Sequence, residues 1–134
     1  MFCAIVAGRT RAHRLLENEH TMSFLNIAPA TEGHALVVPR RHADGLWDLE
    51  DEEHARVARM ASRVARLLRA ALEPAGVNLV HATGEAAWQS VSHFHVHVVP
   101  RYRSDELQVM WRRETPVPDE ELAALRLRLL SHDQ

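Results

Sequence analysis

Three histidines at alternate positions carry the chemistry of this chain, in the segment Ser92-His93-Phe94-His95-Val96-His97-Val98-Val99-Pro100-Arg101. In an extended strand alternate side chains face the same way. His93, His95 and His97 therefore share one face, stepped by roughly 6.6 Å, while Phe94, Val96 and Val98 face the core. A neutral imidazole is a competent nucleophile near neutral pH. Neighbouring imidazoles can donate hydrogen bonds to phosphoryl oxygens and to a leaving group. Gln89, Ser90 and the backbone amides around them add donors just upstream. Such a cluster suits attack on phosphorus, where positioning and charge stabilisation supply most of the rate. Two other readings stand beside it. A His pair two residues apart is a plausible zinc site and would suit a metal-dependent hydrolase, although three in line splay too far for one tetrahedral ion and no carboxylate ligand lies nearby on the strand. A non-catalytic binding or scaffold protein with three His on an ordinary sheet face is the other.

Composition narrows the field further. A chain of 134 residues is a single domain, 1–134, with 46% hydrophobic and 25% charged residues, both globular values. The formal net charge of −2 argues against a dedicated nucleic-acid binder. All sixteen basic residues are Arg, so mechanisms that need a lysine, such as Schiff bases and P-loop phosphate binding, are excluded. No apolar run approaches the ~18–20 residues that span a bilayer, so no membrane is expected. The N-terminus lacks a basic n-region, and Cys3 has no second cysteine to pair with. A cytoplasmic protein is the expectation.

The elements that must position the histidines follow from periodicity. Arg14 to Glu17 and Thr21 to Ile27 read as a hairpin, and His34 to Pro39 as a third strand closed by proline. Acidic Asp48 to Glu53 opens a long helix. Val57, Met60, Ala61, Val64, Leu67, Leu68, Ala71 and Leu72 form its apolar stripe, Arg56, Arg59, Arg63, Arg66 and Arg69 a solvated face, and Pro74 and Gly76 its end. Val77 to His81 and Val91 to Val99 are the fourth and fifth strands, and Asp119 to Leu130 a C-terminal helix. The hairpin and short clustered strands favour an α+β fold with a roughly five-stranded, mainly antiparallel sheet.

The segment His93-Phe94-His95-Val96-His97-Val98-Val99 resembles the His-φ-His-φ-His-φ-φ signature of the histidine triad (HIT) family of nucleotide hydrolases and transferases. The likeness extends to Phe2–Gly8, to Phe24–Pro29, to Gly33–His42 and to Gly84–Val91, and is closest to the bacterial Hint/Fhit-like branches. It implies a HIT-like fold, a homodimer and a purine nucleotide substrate such as an AMP conjugate, with no cofactor and no catalytic metal. His95 would be the nucleophile that forms a nucleotidyl-histidine intermediate. His97 would bind the phosphate or bridging atom and assist the leaving group. His93 and His34 would orient the cluster. Gln89 and Ser90 would contact the phosphate and leaving group, Asn26 the ribose, and Phe24, Leu25 and Ile27 the base. The implied activity is release of a nucleoside monophosphate from a phosphoramidate or related conjugate. The alternatives are a dinucleoside polyphosphate hydrolase and a non-catalytic nucleotide-binding protein. Trp111 resembles a C-terminal tryptophan that packs near the partner's site in family dimers.

Some bacterial relatives bind structural zinc through Cys-x-x-Cys, the His after the Pro-basic pair and the first triad His. This chain keeps Cys3, His42 and His93, and the other cysteine would fall before Met1. Ala82-Thr83-Gly84 replaces an expected Asn before the glycine, and Trp88 stands where many relatives have Gly. His13, His20, His54 and His132 lie in polar contexts and read as exposed; His81, at a strand end, reads as a satisfied sheet residue.

Overall fold

The computed structural model describes residues 1–108 and 115–132. Five strands form one antiparallel sheet in the order β1-β2-β3-β5-β4: β1 Arg14–Glu17, β2 Thr21–Leu25, β3 Ala35–Pro39, β4 Gly76–Val80 and β5 Val96–Arg101. Three helices accompany it: α1 Phe2–Val6, α2 Asp51–Leu72 and α3 Asp119–Leu130. The α+β architecture with its five-stranded antiparallel sheet agrees with the periodicity of the sequence. No helix among the described residues is long and apolar enough to cross a membrane.

Helix α2 covers one face of the sheet. Val57, Met60, Ala61, Val64 and Leu68 are buried against Ala35, Val37, Phe94, Val96 and Val98, so the stripe spaced three and four apart is the stripe that packs. Leu67 and Ala71, expected in that stripe, lie at its exposed margin. Asp51, Glu52 and Glu53 fill the first turn, and Glu50 with Glu53 makes a capping box that satisfies the first free amides. The helix stops at Glu73, which adopts a left-handed conformation just before Pro74. On the outer face Arg56 and Arg59 pair with Glu52, as a solvated face should.

The opposite face carries the histidines, and α1 closes it. Phe2 and Ile5 are buried with Met22, Phe24, Leu36 and Val38. Five residues are too few to show a helical period in the sequence, so this helix was not legible there.

The strand boundaries depart from expectation by one residue at β3 and β4, and by more at β2 and β5. β2 ends at Leu25 rather than Ile27, because Asn26 Oδ1 accepts the Ala28 N–H at 2.9 Å and turns the chain. β5 begins at Val96 rather than Val91 and runs on to Arg101. Before it, the Phe94 N–H donates to the Ala43 carbonyl and a His93 ring nitrogen meets the Pro39 carbonyl, so loop and ring bonds replace the ladder there. The two faces survive this change: His93, His95 and His97 lie on the α1 side while Phe94, Val96 and Val98 join the α2 core.

Helix α3 forms where the sequence places it but buries none of its residues among the described ones. Trp111 lies outside the described residues.

Candidate active site

His95 and His97 line a cavity of about 350 Å³ on the α1 side of the sheet. Phe2, Phe24, Leu25 and Leu36 supply apolar wall, with Asn26, Ile27 and Ser90 at its margins. Of the residues singled out in the sequence, the fold thus brings His95, His97, Asn26, Ser90, Phe24 and Ile27 to one cavity, with His34 and His93 directly behind. Gln89 is placed differently. Its Nε2 donates to the Asp44 and Val91 carbonyls, at 3.0 Å for Val91, and its Oε1 accepts the Gly84 N–H at 2.8 Å. Its polar atoms are spent clamping the loop, and it does not line the cavity. The same wall includes Thr10, Arg11 and Ala12, which the sequence did not single out.

The hydrogen bonds determine which ring nitrogens carry protons. A backbone carbonyl can only accept. His95 Nδ1 lies 2.7 Å from the His93 carbonyl, so it bears the hydrogen, and Nε2 keeps a free lone pair. A backbone N–H can only donate, and that of Ala30 reaches His34 Nδ1 at 3.0 Å. Neutral His34 therefore carries its hydrogen on Nε2 and donates it to His97 Nδ1, 2.9 Å away. His97 is left with Nε2–H, a donor. The cluster thus offers one lone pair on His95 and one N–H on His97.

Burial keeps these rings neutral. It holds His34, His93 and His95 below the ordinary imidazole range. His97 falls furthest, to about 4, first by desolvation and then through its neighbours His95, His34 and His81. The His34–His97 and His95–His97 ring centroids are 5.1 and 5.0 Å apart, so a second charge here would meet a like charge at close range.

The supports come from distant parts of the chain. His34 is seated just before β3 by Gly33, whose φ of +90° suits glycine and where a Cβ would meet Leu72 Cδ1 at 2.6 Å. His81, read in the sequence as a satisfied sheet residue, is one: Nδ1–H donates to the His95 carbonyl at 2.9 Å, and Nε2 meets the Thr83 hydroxyl. It also stacks on Phe94, with centroids 4.2 Å apart. Its hold on the backbone of His95 is visible only in the folded chain. Asn26 spends Oδ1 on the Ala28 turn, and its Nδ2 lies 3.5 Å from His34 Nε2, which already carries a hydrogen, so the amide N–H groups have no protein acceptor there. His13, His20, His54 and His132 are exposed, as expected.

A second cluster lies behind the first. Cys3 Sγ, His42 Nδ1 and His93 Nδ1 are mutually separated by 3.1, 3.4 and 3.3 Å. His93 Nε2–H donates to the Pro39 carbonyl at 3.0 Å, and His42 Nε2 sits 2.7 Å from Asp44 Oδ1. Both outer nitrogens are thus donors to oxygen, which leaves two Nδ1 lone pairs and a thiol sulfur converging on one point. That donor set, with its outer hydrogen bonds in place, fits a zinc ion with three protein ligands. A bound ion would supply a structural tie between α1, the loop after β3 and the lead into β5.

The HIT domain family matches residues 7–104 of the chain. Adenosine 5'-monophosphoramidase hnt1 of Schizosaccharomyces pombe is 35% identical over 126 residues, which cover 93% of this chain and 91% of that protein. The crystal structure of a HIT family protein from Bacillus anthracis superposes with a TM-score of 0.93 at 29% identity, covering 100% of this chain and 96% of the other. A zinc-bound histidine triad family protein from Mycobacterium smegmatis is 40% identical with a TM-score of 0.77, covering 98% and 96% of the two chains. The alternating imidazoles, the antiparallel sheet and a family match that takes in both lead to one conclusion: this chain belongs to the HIT-domain, or histidine triad, family.

Proposed function

We propose that this protein hydrolyses nucleotide conjugates, releasing a purine nucleoside monophosphate such as AMP from a phosphoramidate through a nucleotidyl-His95 intermediate. The observation that carries the reading is the pair of opposite ring faces: a lone pair on His95 Nε2 beside an N–H on His97 Nε2. His95 Nε2 attacks the α-phosphorus as the P–N bond breaks. His97 Nε2–H hydrogen-bonds the phosphoryl oxygen or the departing atom. The departing amine takes a proton from solvent, relayed by the Ser90 hydroxyl at the cavity margin. Water then attacks phosphorus, the P–Nε2 bond breaks, and the proton borrowed from solvent returns to it. His93 and His34 hold the two working rings in their tautomers, Asn26 holds the ribose, and Phe24 and Ile27 flank the base. Gln89 acts by fixing the loop that presents Ser90. The named activity of the S. pombe relative supports the P–N reading.

The protein is read as a cytoplasmic homodimer that binds neither nucleic acid nor membrane. Strand β4 is a sheet edge with Val77 and Leu79 half exposed, a surface suited to a second copy.

The test is monophosphate release from a synthetic adenosine phosphoramidate in excess chelator, comparing the wild type with His95→Ala. Release that persists in chelator and vanishes in the variant is expected, and the variant should still bind AMP. Release abolished by chelator alone would move the chemistry to a metal.

A further inference from the structure

Arg11 is the one arginine lining the cavity, and it takes no part in any side-chain hydrogen bond or ion pair among the described residues. The β1–β2 register places it. Arg14 pairs with Phe24, and the Leu25 N–H donates to the His13 carbonyl at 2.9 Å, so Arg11, two residues before that last bonded pair, shares the cavity lining with Asn26 and Ile27 just past the end of β2. That is the end of the cavity assigned above to the base. It is also far from the reacting phosphorus: His97 lies on β5, three strands from β1, or roughly 14 Å at ~4.8 Å per strand. The cavity that Arg11 lines also has apolar side chains from Phe2, Ile5, Ala12 and Ile27, and Arg11 itself is exposed. With no protein acceptor among the described residues, this exposed guanidinium keeps its fork of donors free for a ligand in the cavity.

We propose that Arg11 is a specificity residue that reads the base, its guanidinium fork donating to O6 and N7 of a 6-oxopurine. Guanine and hypoxanthine present two acceptors on that edge. Adenine presents N7 beside an amino donor, which opposes an arginine that can only donate. Guanosine and inosine nucleotides are then favoured over adenosine nucleotides by roughly tenfold or more. This inference rests on the nucleotide-site reading above and names its preferred substrate class.

The test is calorimetric titration of the full chain with GMP, IMP and AMP, repeated on Arg11→Ala and Arg11→Lys. GMP and IMP should bind more tightly than AMP, and the difference should collapse toward unity in Arg11→Ala. Arg11→Lys keeps the charge but loses the fork, so it should lose most of the discrimination while staying folded. Equal affinities in the wild type, IMP grouping with AMP, or discrimination that survives in Arg11→Ala would each overturn the role of Arg11 while leaving the nucleotide site intact. Failure of all three nucleotides to bind the wild type would instead overturn the nucleotide reading on which the inference rests.

Discussion

His34 Nε2 lies 2.9 Å from His97 Nδ1, and because His34 Nδ1 is already occupied by the Ala30 N–H, this contact decides which nitrogen of His97 carries the hydrogen. Two residues far apart in the chain thereby share one tautomeric choice. Removing the first should leave the second free to take either form.

His34→Ala should therefore lower kcat by about 10- to 100-fold with a smaller change in KM, since the ring acts by orienting His97 rather than by touching substrate. His34→Gln should recover part of the loss if its amide N–H reaches His97 Nδ1. Steady-state kinetics on the phosphoramidate check this. An unchanged kcat in His34→Ala would show that His97 needs no partner.

The buried imidazoles set the pH behaviour. The His34 and His97 values lie below 6.5, with His97 at about 4. Between 6.5 and the folded values the unfolded chain binds more protons than the folded one, so stability rises with pH across that window. Stability should be level above about pH 6.5 and fall as pH drops toward about 4. The acid limb of kcat/KM should likewise have its midpoint below 6.5. Thermal melts and rate profiles in matched ionic strength test both, and an activity midpoint at or above 6.5 would contradict neutral, desolvated rings.

Zinc should bind at Cys3, His42 and His93 and act on stability rather than on chemistry. Adding zinc at about 100 times its Kd should stabilise the wild type by about 2.7 kcal/mol, seen as a rise in Tm. Cys3→Ser and His42→Ala should lose most of that rise, while phosphoramidate turnover persists in chelator. A Tm that responds equally in wild type and Cys3→Ser would place the ion elsewhere.

Trp88 adopts φ 70° and ψ 30° and is 75% exposed. A bulky residue in the left-handed region carries roughly 1–2 kcal/mol of strain, part of which glycine returns as chain entropy in the unfolded state. Trp88→Gly should stabilise the protein by about 0.5–1 kcal/mol, measured by denaturant titration. A loss of stability would mean that the indole makes a compensating contact.

Much of this protein could be read directly from its residue order. The alternation of His93, His95 and His97 with Phe94, Val96 and Val98 settles which face each occupies, because a period of two is a local property of extended backbone. The stripe from Val57 to Leu68 likewise announces α2, because a period of 3.6 needs no partner to be visible. The tertiary structure decided the rest. Whether His95 and His97 present a lone pair or a proton depends on acceptors and donors that folding brings in from residues 30, 34 and 93. Gln89 looked like a ligand group by its position but its polar atoms are taken by the backbone of Gly84 and Val91 in its own loop and of the distant Asp44. The five-residue α1 and the place of Arg11 at the cavity depend on contacts between distant segments, whereas Cys3, His42 and His93 are grouped by the family likeness and only their close approach comes from the fold. Residue type and spacing specify what a side chain is able to do; its protonation, partner and direction are set by neighbours that only the folded chain supplies.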